Sequence, residues 1–406
     1  MRVPNTLNDE VVRVALRKRA EILSKVKLLA KKGIREEVRR EWVTYRPKPA
    51  SQDFLAGVDG GEALREYQGI TIYAISAATI MYRYGGTRGW LPETLVVADV
   101  DAILSSPAGG RVGILRETLE AKVGAVAALK GVKLILADGS LRSVIIEPRP
   151  RGEGGGYTFD RAAKALKTSS GPDIFRRIVE GVEQGIKNPE ILREEPLVAR
   201  REVRLDSVPP DMRVDAMTAA EYIEKLAAIR ALLREATWRG ARLIYVSKRS
   251  RTSHYFKGLR EGKILPPDIM MFQYLTTEPG FSKPIFPEVG ERGGVRRIKQ
   301  VPEVEGLSEF YSRVKVAVSY VRLASGGPVL KVEIPVLEGS GPAVDEGFMR
   351  SVMDALASVS TEGYPYPLFE ADKIARIPNT TLSIIIQALG LPPLLTGREV
   401  LEEWLR

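Results

Sequence analysis

A succession of apolar segments between residues 54 and 141 constrains the fold of this chain more than any other feature. Three segments with the composition of β-strands come first, a segment with helical spacing follows, and another short apolar strand segment ends in Asp-Gly-Ser. These segments are FLAGVDGG (54–61), ITIYAISAATIMYRY (70–84), TLVVADVDAIL (94–104), GGRVGILRETLEAKVGAVAALKG (109–131) and VKLILADGSL (132–141). Three strands, a helix and a further strand predict a mixed α/β core.

The remaining segments predict helices and a hairpin around this core. Residues 8–43 have the apolar spacing of a helix, and a polar, Gly- and Pro-rich stretch at about 147–215 predicts an insertion with a helix inside it. A strand follows at 241–248, and two alternating segments at 313–336 predict a hairpin. We therefore expect a helical arm (1–50), a central domain (51–380) that contains the insertion, and a helical tail (381–406).

The composition limits the chemistry that the chain can perform. It has no cysteine, which excludes disulfides, thiolate zinc sites and cysteine nucleophiles, and its single histidine, His254, excludes a His-rich metal cluster. A bound metal would be held mainly by carboxylates, which suits Mg²⁺ or Mn²⁺. The 61 basic residues exceed the 51 acidic ones by 10, and this excess favours an anionic partner, nucleic acid first.

The sequence predicts a cytoplasmic protein without a membrane partner. No apolar run reaches the roughly 18 residues that a membrane-spanning helix needs. The N-terminal segment MRVPNTLNDEVVRVALRKRAEIL mixes acids and bases and lacks the apolar centre of a signal peptide.

Two aspartates follow apolar strand segments and are the first candidate site residues. Asp59 is expected to end the first strand, with Gly60 and Gly61 turning the chain away, and Asp138 ends VKLILAD. If these two strands are neighbours, both carboxylates project from the same edge of the sheet. On the helix between them, Glu120 lies about 100° from the centre of the apolar face and Glu117 about 160° away. We expect Glu120 to lean over that edge and Glu117 to point to water.

These residues have a structural explanation as well as a chemical one. DGG and DGS are ordinary turn signals, and a single glutamate on a helix is usually a solvated charge. Taken together, an acid on strand one, an acid on a later helix and an acid on the next strand are the order expected of an RNase H-like nuclease core. Converging carboxylates repel, and divalent cations offset this repulsion and can clamp both reacting oxygens of a phosphodiester.

Five motifs in the same order resemble the NurA nuclease family. They are AGVDGG, the helix containing RETLE, LADGSL, YVSKRS and GYPYPLFEADKIARIP, and the resemblance covers residues from about 54 to 380. It implies an RNase H-like fold, a homodimeric ring-like nuclease, and Mn²⁺- or Mg²⁺-dependent cleavage of DNA with 5′ to 3′ polarity. It also implies a role in DNA end resection for double-strand break repair beside a HerA-type hexameric ATPase. The sequence contains no phosphate-binding loop, which agrees with an ATPase on a separate chain.

The resemblance also implies roles for individual residues. Asp59, Glu120 and Asp138 correspond to metal ligands, with Glu117 as the alternative one turn away. Lys248 in YVSKRS matches a basic position suited to a scissile phosphate, and Asp268 in LPPDIMM could join the acids. Asp372 stands where the family usually has a histidine, so it could bind a metal or orient water, and a mechanism that needs that histidine is in doubt.

The segment SKRSRTSHYFKGLR combines basic and aromatic residues in the manner of a nucleic-acid-binding track. Its candidate DNA contacts are Lys248, Arg249, Arg251, Tyr255, Phe256 and Lys257. His254 is expected close to DNA or simply exposed in the loop, and the whole segment could also be a solvated loop. Two other functions stay open: a catalytically inactive DNA-binding clamp subunit, and an argonaute-like nuclease, for which no guide-end-binding module is recognisable.

Overall fold

One large mixed sheet organises the chain in the computed structural model, which describes residues 7–21, 32–67, 69–104, 108–145, 159–256, 266–287, 302 and 304–390. Within this part the sheet has nine strands, in the order β1-β7-β8-β9-β6-β5-β2-β3-β4. The strands are β1 (Trp42–Thr44), β2 (Phe54–Glu66), β3 (Thr71–Tyr84), β4 (Trp90–Ile103), β5 (Leu134–Asp138), β6 (Arg242–Ser247), β7 (Gly280–Ser282), β8 (Val314–Arg322) and β9 (Val329–Leu337). The predicted mixed α/β fold is confirmed.

The antiparallel and parallel parts of the sheet meet at the adjacent inner strands β2 and β5. β2, β3 and β4 form an antiparallel meander, while β5 pairs with β2 and β6 pairs with β5 in parallel. β9 then runs antiparallel to β6, and the predicted hairpin at 313–336 is confirmed as β8 and β9. Two short strands, β10 (Ser360–Thr361) and β11 (Tyr364–Pro365), pair outside the sheet.

Helices cover both faces of the sheet. In the described ranges they are α1 (Leu7–Arg17), α2 (Lys32–Glu41), α3 (Gly109–Leu129), α4 (Leu141–Val144), α5 (Phe159–Ser170), α6 (Ile174–Lys187), α7 (Pro189–Glu194), α8 (Val198–Glu202), α9 (Arg213–Trp238), α10 (Asp268–Leu275), α11 (Leu307–Ser312), α12 (Glu346–Ser358), α13 (Tyr366–Ala375) and α14 (Asn379–Ala388). Helices α3 and α5–α9 bury apolar side chains against one face, and α12 and α13 pack against the other. None of these helices combines the length and the apolar character needed to cross a bilayer.

The first strand of the core does not stop at the paired glycines. β2 continues to Glu66, because β3 pairs with it along its whole length, with Asp59 opposite Ala78 and Gly61 opposite Ser76. The expected turn at Gly60 and Gly61 is therefore wrong. The chain reverses after Glu66 instead, through a connection that contains Gly69 at a φ of 83°.

The glycines of β2 allow other elements to approach its backbone. A Cβ atom on Gly57 would overlap the carbonyl oxygen of Pro367, and one on Gly61 would overlap that of Ala375. Both contacted residues belong to α13, so the backbone of this helix lies directly on β2. On the opposite face, a Cβ on Gly60 would overlap the Glu120 carboxylate. Glycine is needed at all three positions for close approach rather than for a turn.

Two predicted segments differ from the structure. The helix expected over 8–43 contains α1 and α2, but β1 begins at Trp42 and pairs with β7, so the sheet starts inside the predicted arm. Residues 22–31 lie outside the described part. The described portion of the predicted insertion forms α5–α8, which bury residues such as Phe175 and Val182 in the main core. It is a helical layer of the core, because its amphipathic helices pack on α3 and α9.

Candidate active site

Asp59 and Asp138 are neighbours on the same face of the sheet. The parallel pairing of β2 and β5 ends with Val58 opposite Ala137, so the two aspartates are the next residues on adjacent strands. Because side chains alternate along a strand, Asp59 shares the face of Gly57, which contacts α13. The sequence-based expectation that these carboxylates lie together at one position on the sheet agrees with this pairing.

The environment of Asp59 raises the pKa of its carboxyl group. Its side chain is buried, and the backbone N–H of Gly60 donates a hydrogen bond of 2.7 Å to Oδ1. Burial raises the pKa of Asp59 to about 7, and the Asp138 and Asp372 carboxylates contribute, while Lys248 acts in the opposite direction. Burial also raises the pKa of Asp138, opposed by Lys248.

Helix α13 and the strand before it complete this side of the site. α13 carries Asp372, whose carboxylate is ion-paired with Arg376. The Nζ atom of Lys248 lies 4.6 Å from the ring centroid of Tyr364. The buried Tyr364 hydroxyl has no hydrogen-bond partner among the described residues, and burial together with Asp138, Asp59 and Asp372 raises its pKa.

Tyr364 is a site residue that the sequence-based reasoning missed. It lies inside the motif GYPYPLFEADKIARIP, yet only the aspartate of that motif was selected. No local pattern marks this tyrosine, because its position depends on how β11 and α13 pack against β2. The only signal in the sequence was its place in the motif that also contains Asp372.

Glu120 approaches the site from the opposite face of the sheet. Its carboxylate lies over Gly60 and forms an ion pair with Arg116, which also donates to Glu62 at 3.1 Å. Burial raises the pKa of Glu120 to about 8, with Arg116 opposing the shift and Asp59 and Glu117 adding to it.

Glu117 was expected to point to water, and this expectation is wrong. The Nζ atom of the buried Lys225 lies 3.0 Å from its carboxylate, because α9 packs on this side of α3. Glu117 is thus engaged in an ion pair between two helices. Of the two helix acids, Glu120 is the one that lies against β2.

The donor chemistry at this position fits a hard divalent cation. Asp59 and Asp138 offer adjacent carboxylate oxygens, and their mutual repulsion is the feature that a cation would relieve. Among the described residues, no three His, Asp or Glu side chains lie close enough together to hold a metal ion by themselves. Further ligands would come from Glu120 or Asp372, each now paired with an arginine, or from substrate and water.

The basic segment after β6 is only partly available to DNA. Lys248, Arg249 and Arg251 are exposed. Phe256 is buried in an aromatic cluster with Phe272, and the Tyr255 hydroxyl donates to the carbonyl oxygens of residues 283 and 318. The expectation that these two aromatic side chains stack on bases is therefore wrong, since the protein interior occupies their faces. Lys257 lies outside the described residues.

Asp268 and His254 also differ from expectation. Asp268 is fully buried, and its carboxylate accepts hydrogen bonds from the backbone N–H groups of Tyr255 and His254. It anchors the loop and does not join the acidic site. His254 is half-buried, with its Nε2 atom 2.9 Å from a guanidinium nitrogen of Arg142.

Comparison with known proteins supports the resemblance. The model of the NurA domain family matches residues 55–377. The DNA double-strand break repair nuclease NurA of Saccharolobus solfataricus is 32% identical over 124 residues, and this alignment covers 30% of the chain and about a third, 32%, of that protein. The probable NurA nuclease of Methanocaldococcus jannaschii is 22% identical, with 94% of this chain and 89% of that protein covered.

A solved structure shares the fold. The crystal structure of a NurA protein bound to dAMP and manganese superposes with a TM-score of 0.62 at 17% identity, and the match covers 92% of this chain and 97% of that one. At this level of identity the likeness describes the fold alone.

Proposed function

Because this chain belongs to the NurA family, whose model spans residues 55–377, we propose that it is a divalent-metal-dependent nuclease that hydrolyses DNA. The observation that carries the proposal is the pair of adjacent carboxylates, the buried Asp59 and the half-buried Asp138, on neighbouring parallel strands. A pair of repelling acids has no structural benefit by itself, and such pairs concentrate at functional sites. The names of the two relatives, both DNA repair nucleases, support the same activity.

The proposed cation ligands are Asp59, Asp138 and Glu120. The first two need no rearrangement of the backbone, and Glu120 reaches the site past Gly60 once its carboxylate leaves Arg116. Bound Mn²⁺ or Mg²⁺ would neutralise the carboxylates and act as a Lewis acid toward the phosphodiester. Manganese is the first choice to test, because a protein of the same fold has been crystallised with it.

The other residues act on the substrate itself. Lys248 carries a positive charge next to both aspartates and is proposed to contact the scissile phosphate. The Tyr364 hydroxyl, a buried donor without a partner in the described structure, is proposed to donate to a phosphate oxygen. Asp372 is proposed to orient water or a cation in place of the family's histidine. The exposed Arg249 and Arg251 extend the positive charge along the segment after β6.

The finer expectations from the resemblance remain part of the proposal. They are 5′ to 3′ exonuclease activity together with single-strand endonuclease activity, end resection in double-strand break repair, a HerA-type ATPase partner, a homodimer, and an RNase H-like core. The neighbouring acid-bearing strands are what the RNase H-like interpretation requires. The proposed domain division is the arm, the nuclease domain and the tail, with β1 at the end of the arm joining the sheet of the nuclease domain.

The test is a cleavage assay with labelled single-stranded and duplex DNA in Mn²⁺, Mg²⁺ or chelator. The wild type should cut only with a divalent ion, and Asp59→Asn and Asp138→Asn should lose cleavage. Asp99→Asn is the matched control, since Asp99 is a half-buried carboxyl of the same sheet that pairs with Arg200 away from the site. Blocking either end of the strand with phosphorothioate linkages tests the polarity. Cutting in chelator would refute the metal dependence.

An inactive DNA-binding subunit is the second candidate function. The arginine ion pairs on Glu120 and Asp372 favour it, because they neutralise two of the acids that a cation would use. This alternative predicts DNA binding that Asp59→Asn leaves unchanged, and no cleavage with any divalent ion.

A further inference from the structure

Two aromatic side chains project into solvent from the helix that carries Asp372. Tyr366 and Phe369 on α13 are 47% and 50% exposed, and their ring centroids lie 6.3 Å apart with an interplanar angle of 34°. Large aromatic side chains are normally buried. The opposite side of α13 is buried against the sheet, so this exposed pair is not needed to dock the helix.

Helical geometry places these rings next to the proposed site. Phe369 precedes Asp372 by three residues and therefore lies beside it on the helix surface. Tyr366 is another three residues earlier, which continues the same stripe away from Asp372.

Ion pairs flank the aromatic side chains. Lys373, four residues after Phe369, lies 3.8 Å from the Glu370 carboxylate, and Arg376 pairs with Asp372, while both cationic side chains stay 68% exposed. Aromatic rings interleaved with cations are the combination that binds single-stranded nucleic acid, in which bases stack and phosphates are neutralised. The position of the rings beside Asp372, at the proposed nuclease site, favours a DNA strand as the occupant.

We propose that Tyr366 and Phe369 form a stacking platform for unpaired bases of a DNA strand that enters the proposed nuclease site. This inference rests on the proposed function and names its substrate class as DNA with single-stranded character next to the cleaved bond. A base within a duplex hides its faces in the stack, so only an unpaired base can lie on the rings. The platform takes the stacking role that the sequence predicted for Tyr255 and Phe256, because the rings of those two residues pack inside the protein.

The test separates stacking from phosphate binding. The dissociation constant is measured by fluorescence anisotropy in chelator, with an oligothymidylate and with an abasic strand of equal length. Phe369→Ala and Tyr366→Ala should each weaken oligothymidylate binding about 5- to 150-fold, the range expected for one stacked base, and should leave abasic binding unchanged. Phe369→Trp should restore binding, and Lys373→Ala should weaken both ligands.

The control is Trp238→Ala, which removes a 73% exposed aromatic side chain at the end of α9. This variant should bind both strands as the wild type does. Equal losses for the two strands, or wild-type affinity of both alanine variants, would overturn the inference and assign the rings to another contact, such as a protein partner. A protein that cleaves DNA with Mn²⁺ but shows either result would lose this inference and keep the proposed function. Absence of cleavage would refute the function, while the binding comparison would still decide the platform.

Discussion

Replacing Asp59 with asparagine should stabilise the metal-free protein at pH 8 and remove its response to Mn²⁺. Burial and the neighbouring carboxylates raise the pKa of Asp59 from 3.8 to about 7. The folded state therefore binds this proton more tightly than the unfolded state, and stability falls as pH rises between these two values. A shift of about 3 pKa units corresponds to about 4 kcal/mol at pH 8. Asparagine carries no charge and escapes this destabilisation, while its oxygen can still accept from Gly60.

The assay is thermal unfolding from pH 3 to pH 8, with chelator and with Mn²⁺. For a chain of this length, about 4 kcal/mol corresponds to an increase in the unfolding midpoint of roughly 5 °C. The increase should be present at pH 8 and absent near pH 3. Mn²⁺ should raise the midpoint of the wild type at pH 8, because it binds the folded carboxylates, and should leave Asp59→Asn nearly unchanged.

The same measurement on Asp99→Asn supplies the control. Burial raises the pKa of Asp99 to about 6, but this residue pairs with Arg200, so its replacement should preserve the response to Mn²⁺. If Asp59→Asn unfolds at a lower temperature than the wild type at pH 8 in chelator, the charge of Asp59 is a stabilising one and the ligand interpretation fails. An unchanged Mn²⁺ response in Asp59→Asn would refute it as well.

Two further predictions concern the elements that hold the site. Gly61→Ala should reduce cleavage and lower the free energy of unfolding by about 1–3 kcal/mol, because the new methyl group pushes α13 off β2. Gly113→Ala is the control: its methyl group meets no atom within 4 Å, so this variant should keep wild-type stability in denaturation assays and wild-type cleavage. Glu117→Gln should lower stability by about 3–5 kcal/mol by leaving Lys225 buried without its counter-charge, yet keep cleavage per folded molecule. Glu120→Gln should instead lose cleavage per folded molecule and keep the stability of the wild type. Loss of cleavage in both variants, or in neither, would contradict the assignment.

The succession of strands and helix along the chain between residues 54 and 141, and the two aspartates that follow apolar segments, were predictable from the sequence; that their strands are neighbours was a condition the sequence left open. Apolar runs of strand length separated by one long helix leave few alternatives to a mixed α/β core, and an acid directly after a buried run marks a position on a sheet. The turn expected at Gly60 and Gly61 was wrong for a physical reason. Pairing with β3 overrides local turn preference, and these glycines serve close packing across two layers.

The rest of the site depends on contacts that the local sequence does not encode. Tyr364 acquires its position from a two-residue strand that packs beside α13, and Phe256 lies in an aromatic cluster with a side chain sixteen positions later. A segment rich in arginine, lysine and aromatic residues looks the same whether its rings face solvent or the interior. Only the tertiary fold separates Phe256, which is buried, from Phe369, which is exposed.

Because β2 packs against a helix on each of its faces, its length cannot change freely. Odd-numbered positions from 57 to 61 face α13, and even-numbered positions from 58 to 62 face α3. Inserting or deleting one residue before Asp59 would exchange the two sets. The acid would turn toward Glu120, and side chains would replace the glycines that admit α13. The number of residues between Phe54 and Gly61 must therefore stay constant for Asp59 to face α13 and for the glycines to admit it.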